Sequence, residues 1–277
     1  GLAIPSVGMG DNLIKGQFFL SLVKNLGIFL IKRGSTRGDM IQSARMLKQY
    51  IISYMAEGYD ALIFPEGTRK NIPSKGQYGN FFPTAFDAVL EYEKNKNAIS
   101  TANNLSQHNS YIIPFNVDYS RVREAFEMLR EKNVPRTLKV WDSLKMLKHL
   151  KTIYVSYGEP IPVRDHLDMN RKELSLLARE RCLELVKILP INIVAKAVIE
   201  AFKDQSIDKH EGIHYHIEKT IEKLQPYKKN FREFSSNEGP ESIYKKVTSY
   251  EKLFESPKQK YLQYYKLYSN YISHYFT

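Results

Sequence analysis

The sequence predicts an α/β domain with a central, mostly parallel or mixed sheet wrapped by helices over residues 1–165, followed by a helical C-terminal extension over residues 166–277. Three observations carry this expectation. Short β-like runs alternate with amphipathic helical patterns in the first part. Within it, a strand, a helix and a strand follow one another at the spacing of a crossover unit, which requires parallel pairing. Beyond Arg171 nearly every segment has helical periodicity, and the change of texture falls between Gly158 and Arg171.

Residues 26–32, 60–64, 111–118 and 152–157 read as strands: each is short, rich in Ile, Val, Phe or Tyr, and bounded by Gly, Pro or Asp. Between the first two lies a helix. Asp39 can cap it, Met40, Ala44, Leu47, Ile51 and Tyr54 supply an apolar face, and Gly58 can end it in a left-handed conformation. Residues 82–94 read as a second helix, the polar run 95–110 as a surface loop, and 121–132 as a further helix. Three to five helices are expected after Arg171, with breaks at Pro190, around 208–212, at Pro226 and across 235–240. Residues 261–276 hold seven aromatic side chains together with a lysine, an asparagine and a histidine. Such a helix can rest on a lipid interface, but packing against the domain is the commoner use and is expected here.

Composition narrows the chemistry. With 277 residues, 43% of them hydrophobic, the chain can bury a full core. Its 41 Lys and Arg against 30 Asp and Glu favour an anionic partner: a phospholipid surface, nucleic acid or a phosphorylated substrate. Cys182 is the single cysteine, which excludes an intramolecular disulfide and a cysteine metal cluster, and a buried thiol is expected. No run reaches the ~18 apolar residues of a spanning helix: residues 18–31 are interrupted by Lys24, and 183–202 by Glu184, Lys187, Pro190 and Lys196. The chain is therefore expected to lie on a membrane or in solution. Its first residues, Gly1-Leu2-Ala3-Ile4-Pro5, have neither Met nor a charged leader, so it is expected to begin inside a domain.

The most informative string is Phe64-Pro65-Glu66-Gly67-Thr68-Arg69, directly after a β-like run. A strand ending this way sets a carboxylate, a flexible turn, a hydroxyl and a guanidinium at the carboxyl edge of a sheet, where open α/β folds bind ligands. Arg69 could grip a phosphate with forked hydrogen bonds, Thr68 could donate another, and Gly67 would let backbone amides approach.

This string resembles the third motif of the glycerol-phosphate and lysophospholipid acyltransferase family. Gly27-Ile28-Phe29-Leu30-Ile31-Lys32-Arg33 is similar to the second motif, Tyr111-Ile112-Ile113-Pro114-Phe115-Asn116-Val117 to the fourth, and Val155-Ser156-Tyr157-Gly158-Glu159-Pro160-Ile161 to the strand and turn that close the domain. Four segments in order are harder to obtain by accident than one. Gly8-Met9-Gly10-Asp11-Asn12-Leu13 and Leu189-Pro190-Ile191-Asn192-Ile193-Val194 resemble the glycerol-3-phosphate branch.

The resemblance implies transfer of a fatty acyl group from acyl-CoA or an acyl-carrier protein to glycerol-3-phosphate in phospholipid biosynthesis. No other cofactor and no metal are expected. Arg33, Lys32, Glu66, Gly67, Thr68 and Arg69 would bind the acceptor, and the protein would sit peripherally on the cytoplasmic face of an anionic membrane. The alternatives are acylation of 1-acylglycerol-3-phosphate (lysophosphatidate) and a non-catalytic module for phosphate or lipid headgroups. The family's base belongs to a His-x-x-x-x-Asp pair. All seven histidines here lie at position 108 or later and none has Asp five positions on, so that pair is expected upstream of Gly1 and no catalytic residue is assigned.

Other patterns weigh less. His210-Glu211-Gly212-Ile213-His214 spells a zinc-peptidase motif, but Gly212 weakens the helix such a site requires, and no metal is expected. No phosphate-cradling Gly-x-x-x-x-Gly-Lys string is present, and Gly8-x-Gly10 lacks the third glycine of a dinucleotide fingerprint. Nucleic acid is not expected as a partner, because the C-terminal cations alternate with Glu as on an ordinary solvated face.

Overall fold

The computed structural model describes residues 6–10, 28–31, 36–66, 77–103, 109–121, 152–208 and 210–276. Strand β1 (Ser6–Gly10) lies between β2 (Ile28–Ile31) and β3 (Ala61–Leu62), and both neighbours run parallel to it. Val7 stands opposite Ile28 on one side and Leu62 on the other, and Gly10 opposite Ile31. Helix α1 (Arg37–Ala56) connects β2 to β3, the crossover that the strand, helix, strand succession demanded.

Both ends of α1 are built locally. Its cap is Thr36, not Asp39: the Asp39 amide donates to Thr36 Oγ1 at 3.2 Å, and Asp39 returns a carboxylate to the Thr36 amide at 3.1 Å. At the far end Gly58 takes φ 81°, with its amide donating to the Met55 carbonyl and the Tyr59 amide to that of Tyr54. This is the left-handed stop that glycine supplies without steric cost. Of the expected apolar stripe only Ile51 is fully buried, with Ala44, Leu47 and Tyr54 half-buried. Ile51 and Ala56 are in the core, whereas Met40 is 55% exposed.

Helix α2 (Thr84–Asn103) packs on α1 and runs well past the expected end at residue 94. The stretch 95–103, expected as loop, holds neither Gly nor Pro, and Lys96 pairs with buried Glu93 one turn back at 2.7 Å. Lys48 of α1 ties the two helices by reaching Asp87 at 2.6 Å and Glu91 at 2.5 Å.

The expected strand at 111–118 is cut in two at Pro114. Strand β4 (Tyr111–Ile112) pairs antiparallel with β7 (Ile161–Pro162), and β5 (Phe115–Tyr119) with β6 (Ile153–Tyr157). The described strands therefore form one parallel three-stranded ladder and two antiparallel pairs, not a single central sheet. The expected helix at 121–132 lies outside the described residues apart from Arg121.

Among the described residues beyond 170, five α-helices follow, within the expected number: α3 (Arg171–Leu183), α4 (Pro190–Lys203), α5 (His210–Leu224), α6 (Pro240–Tyr250) and α7 (Leu262–Asn270). Asn170 and Glu173 form a reciprocal cap on α3. Pro190 opens α4 at the first-turn position, where its missing N–H costs nothing. The most apolar helix, α4, is buried on nearly every side, and α5, α6 and α7 pack around it. The tyrosines of α7 face inward: Tyr264, Tyr265 and Tyr268 are in the core, with hydroxyl bonds from Tyr264 to Glu251 at 2.8 Å and from Tyr265 to the Leu253 carbonyl at 3.0 Å. Packing is thus what this segment does. A smaller core joins Phe86 and Leu90 of α2, Ile161 and Val163, and Leu174 and Ala178 of α3. Among the described residues no helix is long and apolar enough to cross a membrane.

Candidate functional site

Of the six residues expected to bind an acceptor, Glu66 is described; Lys32, Arg33, Gly67, Thr68 and Arg69 lie outside the described residues. Glu66 sits four positions beyond β3, on the half-buried turn that leaves the carboxyl edge of the parallel ladder. Its Oε1 accepts a hydrogen bond from the Gly79 amide at 2.6 Å, and the neighbouring Pro65 carbonyl accepts one from Phe82 at 2.8 Å. The Gly79 carbonyl in turn accepts from Arg179 Nε, 100 residues further along, at 2.8 Å. Helix α3 therefore steadies the peptide that holds the Glu66 carboxylate.

The adjoining residue begins a second chain of contacts. The Tyr78 hydroxyl donates to Asn116 Oδ1, Asn116 Nδ2 donates to Asp118 Oδ2 at 2.6 Å, and the same oxygen accepts the Lys187 amide at 2.9 Å. Asp118 is 4% exposed, and burial pushes its carboxyl up to about 6 although both hydrogen bonds favour the charged form. Burial also raises the Tyr78 hydroxyl strongly, with Asp118 adding to it, and raises the Cys182 thiol. Cys182 is buried as expected, which makes it a poor nucleophile. The His274 ring lies edge-on to Tyr78 with centroids 6.4 Å apart, and burial lowers its basicity to about 4.

None of Tyr78, Asn116, Asp118 and Arg179 was singled out from the sequence. Asn116 and Asp118 did leave a signal: two polar residues at alternate positions in an otherwise apolar strand occupy one face. Arg179 left none, because its partner is a carbonyl contributed by a distant loop.

Two other constellations resolve structurally. His210-Glu211-Gly212-Ile213-His214 forms the first turn of α5, where Ile213 is buried and the His214 ring packs edge-on against Tyr244 at 5.4 Å. A Cβ on Gly212 would lie 2.2 Å from the Ser206 carbonyl, so glycine is there for close approach. Among the described residues no cluster of three His, Cys, Asp or Glu side chains could hold a metal. Asp204, Ser206 and His216 also meet, but His216 Nε2 faces both Asp204 at 2.7 Å and Ser206 Oγ at 3.4 Å. A relay needs the acid and the hydroxyl on opposite ring nitrogens, so this group fastens the turn before α5 and is no triad.

No protein-family model matches the chain, and no curated protein or solved structure is significantly similar to it.

Proposed function

We propose that the chain is an acyltransferase domain that binds glycerol-3-phosphate as acyl acceptor at the carboxyl edge of the β2-β1-β3 ladder, with an acyl thioester as donor. In this reading the three ladders belong to one α/β sheet and the protein works against an anionic membrane surface. One observation supports it above the rest: β2, which runs into Lys32 and Arg33, and β3, which runs into the Glu66 turn, are parallel and flank one common strand. Parallel neighbours discharge at the same edge. Two strand spacings separate them by roughly 10 Å, a gap that two arginine side chains can span to meet one phosphomonoester.

The anchored Glu66 fits this role. With Oε1 committed to the Gly79 amide, the carboxylate has a fixed orientation, suited to accepting a hydrogen bond from an acceptor hydroxyl. None of the chain's seven histidines is followed by Asp five positions on, so the discriminating measurement is acceptor binding, not turnover.

Calorimetric titration of the chain with glycerol-3-phosphate, glycerol and 1-acylglycerol-3-phosphate tests the proposal. Glycerol-3-phosphate should bind and glycerol should not. Arg33→Ala and Arg69→Ala should each weaken binding by about tenfold or more, the value of a charge-assisted hydrogen bond. Unchanged affinity in both variants would sink the reading, and preference for the 1-acyl compound would move the substrate one step along the same chemistry.

A further inference from the structure

A second concentration of positive charge lies where the segment entering α4 meets the segment leaving α5. Ile188 and Phe231 form an isolated parallel bridge, in which the Ile188 amide donates to the Asn230 carbonyl at 2.9 Å and the Arg232 amide to the Ile188 carbonyl at 3.1 Å. Ile188, Phe231 and Asn230 are buried, and the bridge thereby brings together the flanking cations Lys187, Lys229 and Arg232, with Lys228 exposed beside them. Elsewhere cations are commonly paired: Lys48, Lys96, Arg121, Lys196, Lys203, Lys219, Lys246 and Lys252 each reach a carboxylate. Among the described residues, none of the four at the bridge has an ion-pair partner.

Neither nearby acid forms an ion pair with these cations. Asp118 lies behind Lys187 and spends its Oδ2 on the Lys187 amide and Asn116, while Glu233 accepts from the Tyr154 hydroxyl at 3.1 Å. Arg232 is held ready, because its Nη1 donates to the Phe231 carbonyl at 2.6 Å and to the Lys229 carbonyl at 3.0 Å. The remaining guanidinium donors keep a fixed direction, which lowers the ordering cost of gripping an anion. Burial foremost, and then the neighbouring Arg232 and Lys229, depress the basicity of Lys187, with Asp118 opposing. An anion placed among these cations relieves their repulsion.

We propose that Lys187, Lys229 and Arg232, with Lys228 at the rim, form a binding site for a phosphate group, distinct from the strand-edge acceptor site and independent of the function assigned there. The phosphate belongs either to a glycerophospholipid headgroup or to a free phosphate.

The test compares the full chain with a Lys187→Gln/Lys229→Gln/Arg232→Gln variant and with a control of equal charge loss, Lys203→Gln/Lys219→Gln/Lys252→Gln. Each is sedimented with phosphatidylcholine vesicles containing phosphatidic acid and with phosphatidylcholine vesicles alone, and each is titrated with inorganic phosphate. Each cation near an anionic surface is worth on the order of fivefold in affinity, so the bridge variant should bind acidic vesicles on the order of a hundredfold more weakly. Vesicle binding lost in the bridge variant and kept in the control assigns the site to a headgroup. Phosphate binding lost in that variant, with vesicle binding equal in all three, assigns it to a soluble phosphate. An equal loss in both variants, or no response to either probe, overturns the proposal. Should the triple variant fail to match the parent melting temperature, Lys229→Gln/Arg232→Gln leaves Lys187 in place and answers the same question.

Discussion

Asp118→Asn should change how stability depends on pH, in a direction and by an amount that the structure sets. Burial raises the Asp118 carboxyl from an ordinary 3.8 to about 6. Between those values the folded protein holds a proton that the unfolded chain has released. Stability therefore falls as pH rises through this window and stays reduced above it. At 1.36 kcal/mol per tenfold change in proton affinity, the total is about 3 kcal/mol. Asparagine keeps an acceptor for the Lys187 amide and carries no charge to desolvate, so the variant should gain on the wild type by up to about 3 kcal/mol between pH 4 and pH 7.

His274 works the opposite way in nearly the same window. Its folded value is lowered to about 4 from 6.5 by burial, against a hydrogen bond to the Leu183 backbone. The unfolded chain takes up a proton first as pH falls, so stability is full above about 6.5 and is lost toward 4, again by about 3 kcal/mol. In the wild type these two contributions largely cancel, and each single variant unmasks the other. Urea denaturation of wild type, Asp118→Asn and His274→Gln across pH 4–8 measures both differences, and taking differences removes the other titrating groups. A wild-type minus Asp118→Asn difference that stays constant across that range refutes the reasoning, since a carboxylate titrating normally on a wet surface would give that result.

The remaining predictions follow from packing and single contacts. Gly212→Ala should destabilise by about 1–3 kcal/mol in thermal unfolding, because the new Cβ meets the Ser206 carbonyl; a gain, as helix propensity alone would give, contradicts the close approach. Tyr264→Phe takes away one donor from buried Glu251 and leaves it Arg121 at 3.1 Å; a loss of about 1–3 kcal/mol is expected, and no loss would mean the hydroxyl is not needed there. Glu66→Gln should move the Gly79 amide proton resonance upfield as its acceptor loses charge, and an unmoved resonance would show that the amide points elsewhere.

What was legible in the sequence was what local chemistry decides. Strands formed within three of the expected runs, at Ile28–Ile31, Ala61–Leu62 and Ile153–Tyr157, because apolar and β-branched residues between turn formers have few other uses. Gly58 became the helix stop because φ near 81° strains any other residue. The misses are tertiary. Ser6–Gly10 holds two glycines and little β propensity, and becomes a strand because it receives neighbours on both sides. Asp39 suits a cap by its residue type, but Thr36 stands one turn earlier and Asp39 completes the reciprocal pair. At the candidate site the Glu66 turn was visible as a string, whereas its support by Gly79 and Arg179 spans 13 and 100 residues and leaves no periodicity to find.

The β5-β6 pair shows why pattern alone could not place the core. A half-buried antiparallel pair ordinarily turns its apolar residues inward. Here Asn116, Asp118, Tyr154 and Ser156 take the inner face, while Val155 and Tyr157 on the other are 52% and 70% exposed. The inversion follows from what lies inside. The inner face meets the Tyr78 hydroxyl and the backbone leading into α4, polar groups with hydrogen bonds to satisfy, rather than a stripe of side chains. A valine at 118 would restore the expected alternation and orphan both the Lys187 amide and Asn116 Nδ2, at about 1–3 kcal/mol each. One buried carboxylate thus joins the strand to the link between α3 and α4, and through Asn116 and Tyr78 it reaches the peptide that holds Glu66. The polarity of this strand pair is set by that junction, which exists only once the two parts of the chain have met.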